Sequence, residues 1–218
     1  MNAPDDPAAW SVIVPVKRPE VAKTRLSNAA GPQRAAMARA FAADTVAAAL
    51  GCTEVAEVVV VTDDAATARD LGAFGAFVVA DSPEAGLNAA LHHGAKTAGQ
   101  RRPGAPRAAL SADLPALRSA ELDLALRAAR AHRSAFVCDA AGIGTTLYCV
   151  TSGAFEPRFG GRSRAAHRKA GVVELDLVGI ASVRRDVDTA VDLWDALRLG
   201  VGERTAAVVA SLGVAQGA

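Results

Sequence analysis

The sequence predicts an α/β fold: three layers built on a mostly parallel sheet with an antiparallel excursion. Two observations predict it. In the first half, short and almost wholly apolar runs alternate with Ala-rich or amphipathic segments of helical length, the pattern of strands buried on both faces by helices. In the second half, two apolar runs are separated by a glycine pair, Gly142 and Gly144, with too few residues for a crossover helix. The 218 residues, 51% hydrophobic and 22% charged, suit one domain over 1–218, with a core at about 10–200 and a helical extension at 201–218.

Residues 10–16 form a β-branched run closed by Pro15, as expected of a buried strand that enters a loop. The loop over 17–31 carries Lys17, Arg18, Lys23 and Arg25, and 32–50 is Ala-rich with larger apolar residues at Met37, Phe41 and Val46, which predicts a helix. Residues 57–62 predict the second strand, 64–73 a short helix ended by glycine, and 76–80 a third strand followed by Asp81. Gly86 opens a helix to 98, and the Arg, Pro and Gly residues at 99–106 predict a loop. Residues 107–113 read as a strand ending in Asp113, and 119–132 as a helix with Ser119 as its N-cap. Strands at 135–138 and 146–150 form the excursion. A short helix at 164–170, further strands at 172–177 and 180–184, a helix from Asp186–Thr189 to Leu199 and a terminal helix at 203–212 complete the chain.

A net charge of +1 leaves no basic face for nucleic acid or an anionic membrane. The acidic start and the lack of a spanning apolar run predict a cytoplasmic protein, and three cysteines without C-x-x-C spacing predict reduced, buried thiols.

In a sheet of this type ligands bind beyond the carboxyl ends of the strands, which places the site at the Pro15 loop, at 81–88 and at Asp113. Lys17 and Lys23 share one loop that could wrap a polyanion; the alternative is a solvated basic loop. Asp113 and the pair Asp186 and Asp188 converge if their segments are neighbours. Two unit charges of one sign ~4 Å apart repel by about 4 kcal/mol at an effective dielectric near 20, so acids beside phosphates imply a divalent cation, and oxygen ligands suit magnesium. The alternative has Asp113 capping a turn and Asp188 a helix. Residues 142–146 and 159–163 are candidate anion cradles. Ser163 is the expected N-cap of the helix carrying His167 on the same face, against a plain helix start with a surface histidine.

Several segments together resemble the phospholactate/phosphoenolpyruvate guanylyltransferase family of coenzyme F-420 biosynthesis. They are Ile13-Val14-Pro15-Val16-Lys17 with Ala22-Lys23-Thr24-Arg25-Leu26-Ser27, then Gly86-Leu87-Asn88-Ala89-Ala90-Leu91 and Ser111-Ala112-Asp113-Leu114-Pro115. Gly144-Thr145-Thr146-Leu147, Phe159-Gly160 with Ser163 and His167, and Asp186-Val187-Asp188-Thr189 follow in the family's order. The resemblance implies a nucleotidyltransferase fold of the nucleotide-diphospho-sugar transferase type, with GTP as donor and phosphoenolpyruvate or 2-phospho-L-lactate as acceptor. It implies that Pro15, Val16, Asn88 and Ser111, with Arg25, meet the nucleotide and that Lys17 and Lys23 meet its phosphates. Asp113 and Asp188, with Asp186, would hold Mg2+, and Thr145, Gly160 and Ser163, with His167 beside them, would take the acceptor. Thr146 and Ala190-Val191 depart from the family pattern. Room is left for a homodimer, and the contrasting reading is a non-catalytic nucleotide-sensing domain.

Overall fold

A computed structural model describes residues 9–17, 31–82 and 85–211. Lys23 and Arg25 therefore lie outside the described residues. Seven strands form one sheet in the order β3-β2-β1-β4-β6-β5-β7. The apolar runs become β1 (Trp10–Pro15), β2 (Val55–Val61), β3 (Phe77–Val79) and β4 (Arg107–Leu110), which pair in parallel. β5 (Ser134–Cys138) and β6 (Thr145–Val150) form the hairpin, and the two-residue β7 (Val173–Glu174) pairs parallel to β5. β6 inserts antiparallel between β4 and β5, so its first residue lies at the same sheet edge as the last residue of β4. The Ser111 amide extends that ladder by donating to the Thr146 carbonyl at 2.8 Å.

Helices cover both faces because both faces of the central strands are apolar. Val12 and Val14 pack with Ala42 and Val46 of α1 (Gly31–Leu50) and Leu122 and Leu126 of α4 (Ser119–Ala129). Their neighbour Ile13 points the other way, onto Leu91 and Ala95 of α3 (Leu87–Arg101), as the strand period of two requires. A third cluster joins α1 to α7 (Ala190–Leu199) and α8 (Glu203–Ser211) through Phe41, Leu193 and Val209. Asp44 of α1, buried, accepts hydrogen bonds from the backbone amides of Arg204 and Thr205 at 3.2 and 2.8 Å and so caps α8 from outside.

Several local expectations change. α3 continues to Arg101, into the stretch expected to be a loop. Ser119 is not an N-cap: Arg118 holds that position, and the Ser119 hydroxyl instead donates to the Ala48 carbonyl of α1 at 2.7 Å. The strand expected at 172–177 shrinks to two residues. The strand expected at 180–184 is a one-turn helix, α6 (Ala181–Arg184), held by Glu121, which accepts from both the amide and the hydroxyl of Ser182. Thr189, not Asp188, caps α7, through a reciprocal capping box with Asp192. The three cysteines are free and buried, as expected. Among the described residues no helix is long and apolar enough to cross a membrane.

Candidate functional site

The carboxyl ends of β1 and β4 open into a cleft of about 320 Å³. Pro15, Val16 and Lys17 form one wall, and Ser111, Ala112 and Asp113 the next. Leu87 and Leu91 of α3 and Ala38 and Ala42 of α1 supply an apolar surface, while Phe159 and Asp188 close the rim. Such a mixture suits a ligand with a flat apolar part and a charged part. Val16 is fixed by its amide, which donates to the Val61 carbonyl of β2 at 2.9 Å. Lys17, exposed, follows directly into the opening.

The acids expected to converge do so. The Val187 amide donates to the Asp113 carbonyl at 3.0 Å, which ties the segment after β4 to the one before α7 and sets Asp186 and Asp188 on either side of the junction. Burial, and then the neighbouring charges of Asp113, Asp139 and Asp188, push the Asp186 carboxyl up to about 7. A cluster of acids that raises the proton affinity of one member attracts cations, and its donors are the hard oxygens that magnesium takes. Among the described residues no group of three His, Cys, Asp or Glu side chains has metal-holding geometry. A magnesium ion here would thus be completed by water and phosphate oxygens, its usual habit.

Asp139 escaped the sequence reading, although an acid closing a strand just before a glycine pair is a turn signal. Its carboxylate accepts from the Ile143 and Gly144 amides at 2.8 and 2.7 Å. The expected anion cradle at 142–146 is therefore occupied by the protein's own carboxylate, and the turn leads directly into Thr145, the first residue of β6.

Asn88 does not present an open amide to the cleft. Its side chain donates to the Phe159 carbonyl at 3.0 Å and accepts from the Phe159 amide at 2.9 Å, which latches the 158–162 loop to the first turn of α3. Gly86, immediately before that turn, has φ 98°, a conformation that L side chains rarely adopt. Gly160 follows the latch at φ 100° and is exposed, so the loop reverses there.

Ser163 begins α5 (Ser163–Lys169), but Arg162 is the N-cap and no side-chain cap bond forms. His167 is not a surface histidine. It is fully buried, with Nδ1 3.0 Å from the Thr145 hydroxyl and Nε2 accepting the Arg158 amide at 3.0 Å. Burial pushes its pKa down to about 4, so the ring is neutral at pH 7. Thr145 and the 158–160 loop thus meet around His167, whereas Pro15, Ser111, Asp113 and Asp188 gather around the cleft.

Residues 10–216 match the model of the family described as guanylyl transferase CofC like. A phosphoenolpyruvate guanylyltransferase from Thermomonospora curvata is 56% identical over 209 residues, covering 95% of this chain and 92% of the relative. Another from Streptomyces coelicolor is 58% identical over 208 residues, covering 94% and 98%. Among solved structures, a putative nucleotide-diphospho-sugar transferase from Desulfovibrio desulfuricans superposes with a TM-score of 0.59 at 18% identity, over 88% of this chain and 96% of that one. That likeness concerns the fold, and it agrees with the nucleotide-diphospho-sugar transferase architecture expected from the sequence.

Proposed function

The chain belongs to the guanylyl transferase CofC-like family, and from that premise we propose that it transfers GMP from GTP to phosphoenolpyruvate. The products are enolpyruvyl-diphospho-5′-guanosine and pyrophosphate, as in coenzyme F-420 biosynthesis, and the setting is the cytoplasm. The observation that carries this reading is the joining of Asp113 and Asp188 in one cleft with Lys17, close to the Thr145 and 158–162 segments.

The acceptor brings its own nucleophile. A phosphate oxygen of phosphoenolpyruvate attacks the α-phosphorus of GTP, the new P–O bond replaces the bond to the β-phosphate oxygen, and pyrophosphate departs. Such a step needs alignment and charge neutralisation rather than a general base. Pro15, Val16 and Ser111 present backbone and side-chain polar groups to the nucleotide, and Leu87 and Leu91 an apolar surface. Lys17 reaches the phosphates, and Lys23 and Arg25, which follow it in the sequence, have the charge to join it. Asp113 and Asp188 would hold magnesium, its remaining positions taken by water and phosphate oxygens, and when bound it supplies positive charge to the triphosphate; Asp186 stands beside them as a further acid. Thr145, Gly160 and Ser163 orient the acceptor against the donor.

The test is pyrophosphate release from GTP and magnesium with phosphoenolpyruvate or 2-phospho-L-lactate as acceptor. Phosphoenolpyruvate should be preferred. Asp113→Ala should abolish release while the circular dichroism spectrum stays native. Folded protein that releases pyrophosphate with neither acceptor refutes the reading, as does a fully active Asp113→Ala variant.

A further inference from the structure

The imidazole of His167 packs on a cross-strand pair of rings, Phe136 of β5 and Tyr148 of β6. It stacks on Phe136 and Tyr148 with ring centroids 5.3 and 4.9 Å away, and Phe159 meets it edge-on at 5.8 Å. These contacts fix the plane of the ring, and hydrogen bonds at its two nitrogens fix which edge faces which way.

Nε2 lies 3.0 Å from the backbone nitrogen of Arg158. A backbone amide can only donate, so Nε2 must carry a lone pair. A neutral ring then holds its hydrogen on Nδ1, and Nδ1 has no lone pair with which to accept. The Thr145 hydroxyl oxygen, 3.0 Å from Nδ1, consequently receives the Nδ1 hydrogen. With its oxygen engaged as an acceptor, Thr145 must aim its own hydrogen elsewhere.

We propose that His167 is a positioning residue for the acceptor: locked with its hydrogen on Nδ1, it turns Thr145 into an obligate hydrogen donor toward the acceptor's anionic group. Through Nε2 the same ring pins Arg158, and with it Phe159 and Gly160, on the other side of that group. One neutral side chain thereby joins β6, α5 and the 158–162 loop. An alternative hydroxyl orientation, with Thr145 donating to the ring, would turn a lone pair toward a carboxylate or phosphate and repel it. The role rests on the reading of Thr145 and Gly160 as acceptor contacts; the tautomer does not. The depressed pKa agrees with it, since a ring protonated on both nitrogens would set an N–H against the Arg158 amide.

Two measurements test this. In protein labelled with ¹⁵N-histidine, the resonances lost in His167→Asn identify this ring, and they should report a protonated Nδ1 and an unprotonated Nε2 at pH 7. A protonated Nε2 overturns the inference, whether or not the enzyme is active. In steady-state kinetics, Thr145→Val and His167→Ala should each raise KM for the acceptor about tenfold or more, the loss of roughly one hydrogen bond to a charged group, with KM for GTP within about twofold. The double variant should be no worse than the poorer single one, because His167 acts on the acceptor by orienting the Thr145 hydroxyl that Thr145→Val removes. His167→Asn, whose amide can replace the Nδ1 hydrogen, should recover part of the loss. Equal rises in both KM values, or strictly additive effects, overturn the role. If wild-type protein shows the Nδ1 tautomer but binds neither acceptor, the role falls with the proposed function while the tautomer stands. Thr145→Val keeps the side-chain volume, so its result stands even if His167→Ala fails to fold.

Discussion

Two glycines in one helix should respond to the same substitution with opposite signs. Gly94 and Gly99 both lie within α3, and alanine at either position gains about 0.8–1 kcal/mol of helix propensity. At Gly94 that gain meets the sheet. A Cβ there would stand 2.6 Å from Ile13 Cγ2 and 2.7 Å from Val61 Cγ2, and both of those side chains are fully buried in β1 and β2. Normal contact begins near 3.4 Å, so the helix must lift or two β-branched residues must leave their rotamers. Overpacking of this kind costs about 1–3 kcal/mol, which leaves Gly94→Ala destabilised by about 1 kcal/mol net, or up to ~2. At Gly99 the nearest atom to a new Cβ is the Arg107 guanidinium at 3.9 Å, ordinary contact, so the propensity gain is kept whole. For a domain of this size about 1 kcal/mol corresponds to roughly 2–4 °C. Differential scanning calorimetry should therefore show Tm falling by about that much in Gly94→Ala and rising by as much in Gly99→Ala. A lifted helix also moves Leu87 and Leu91 in the cleft, so KM for GTP should rise in the first variant alone. Equal increases in Tm would show that α3 does not bear on the sheet at Gly94, and the packing account would be wrong.

Asn88→Ala should raise KM for the acceptor and cost roughly 1–3 kcal/mol of stability, because the Phe159 amide and carbonyl both lose their partner; hydrogen exchange at Phe159 checks this directly. Asp44→Ala should destabilise by about 1–3 kcal/mol in urea unfolding, since it strips two amides at the start of α8 of a buried carboxylate, while turnover per folded molecule stays unchanged. His167 gives a pH signature. Its folded pKa of about 4 lies below the ordinary 6.5, so the unfolded chain takes up the proton first, and stability falls as pH drops from about 6.5 toward 4. Urea midpoints across that window should fall less steeply in His167→Asn than in wild type, and parallel curves would contradict a buried neutral ring.

The strands of the first half were legible because β1 and β2 bury both faces, which leaves runs such as Val58-Val59-Val60-Val61 with no helical explanation. The segment at 180–184 misled because Ile180 and Val183 satisfy a buried strand and a buried helical turn alike, and Glu121, distant in sequence, decides between them. Ser119 and Ser163 look like N-caps from composition alone. Tertiary contacts give the Ser119 hydroxyl a carbonyl on α1, and Ser163 is buried at the first helical position. At the site, Asp113 was legible because acids after apolar runs collect at one end of a parallel sheet, whereas Asp188 follows the helix α6 and reaches Asp113 through the Val187 amide. The work of Asn88, Asp139 and His167 was hidden because each acts on backbone groups, of Phe159, of Ile143 and Gly144, and of Arg158, and sequence does not reveal which amides lack a partner.

The bond from Ser111 to Thr146 extends a ladder in which Leu110 faces Leu147. On the proposed function, the segments that meet donor and acceptor are thus spaced by main-chain geometry, in steps of about 3.4 Å along each strand, and a slip of one residue would also turn every side chain of β6 to the wrong face. The span between the two reacting molecules would then be inherited with the fold and insensitive to drift in the side chains around it. Attempts to change the acceptor should therefore succeed in the 158–162 loop, where side chains vary at fixed span, and fail by insertion or deletion in β6.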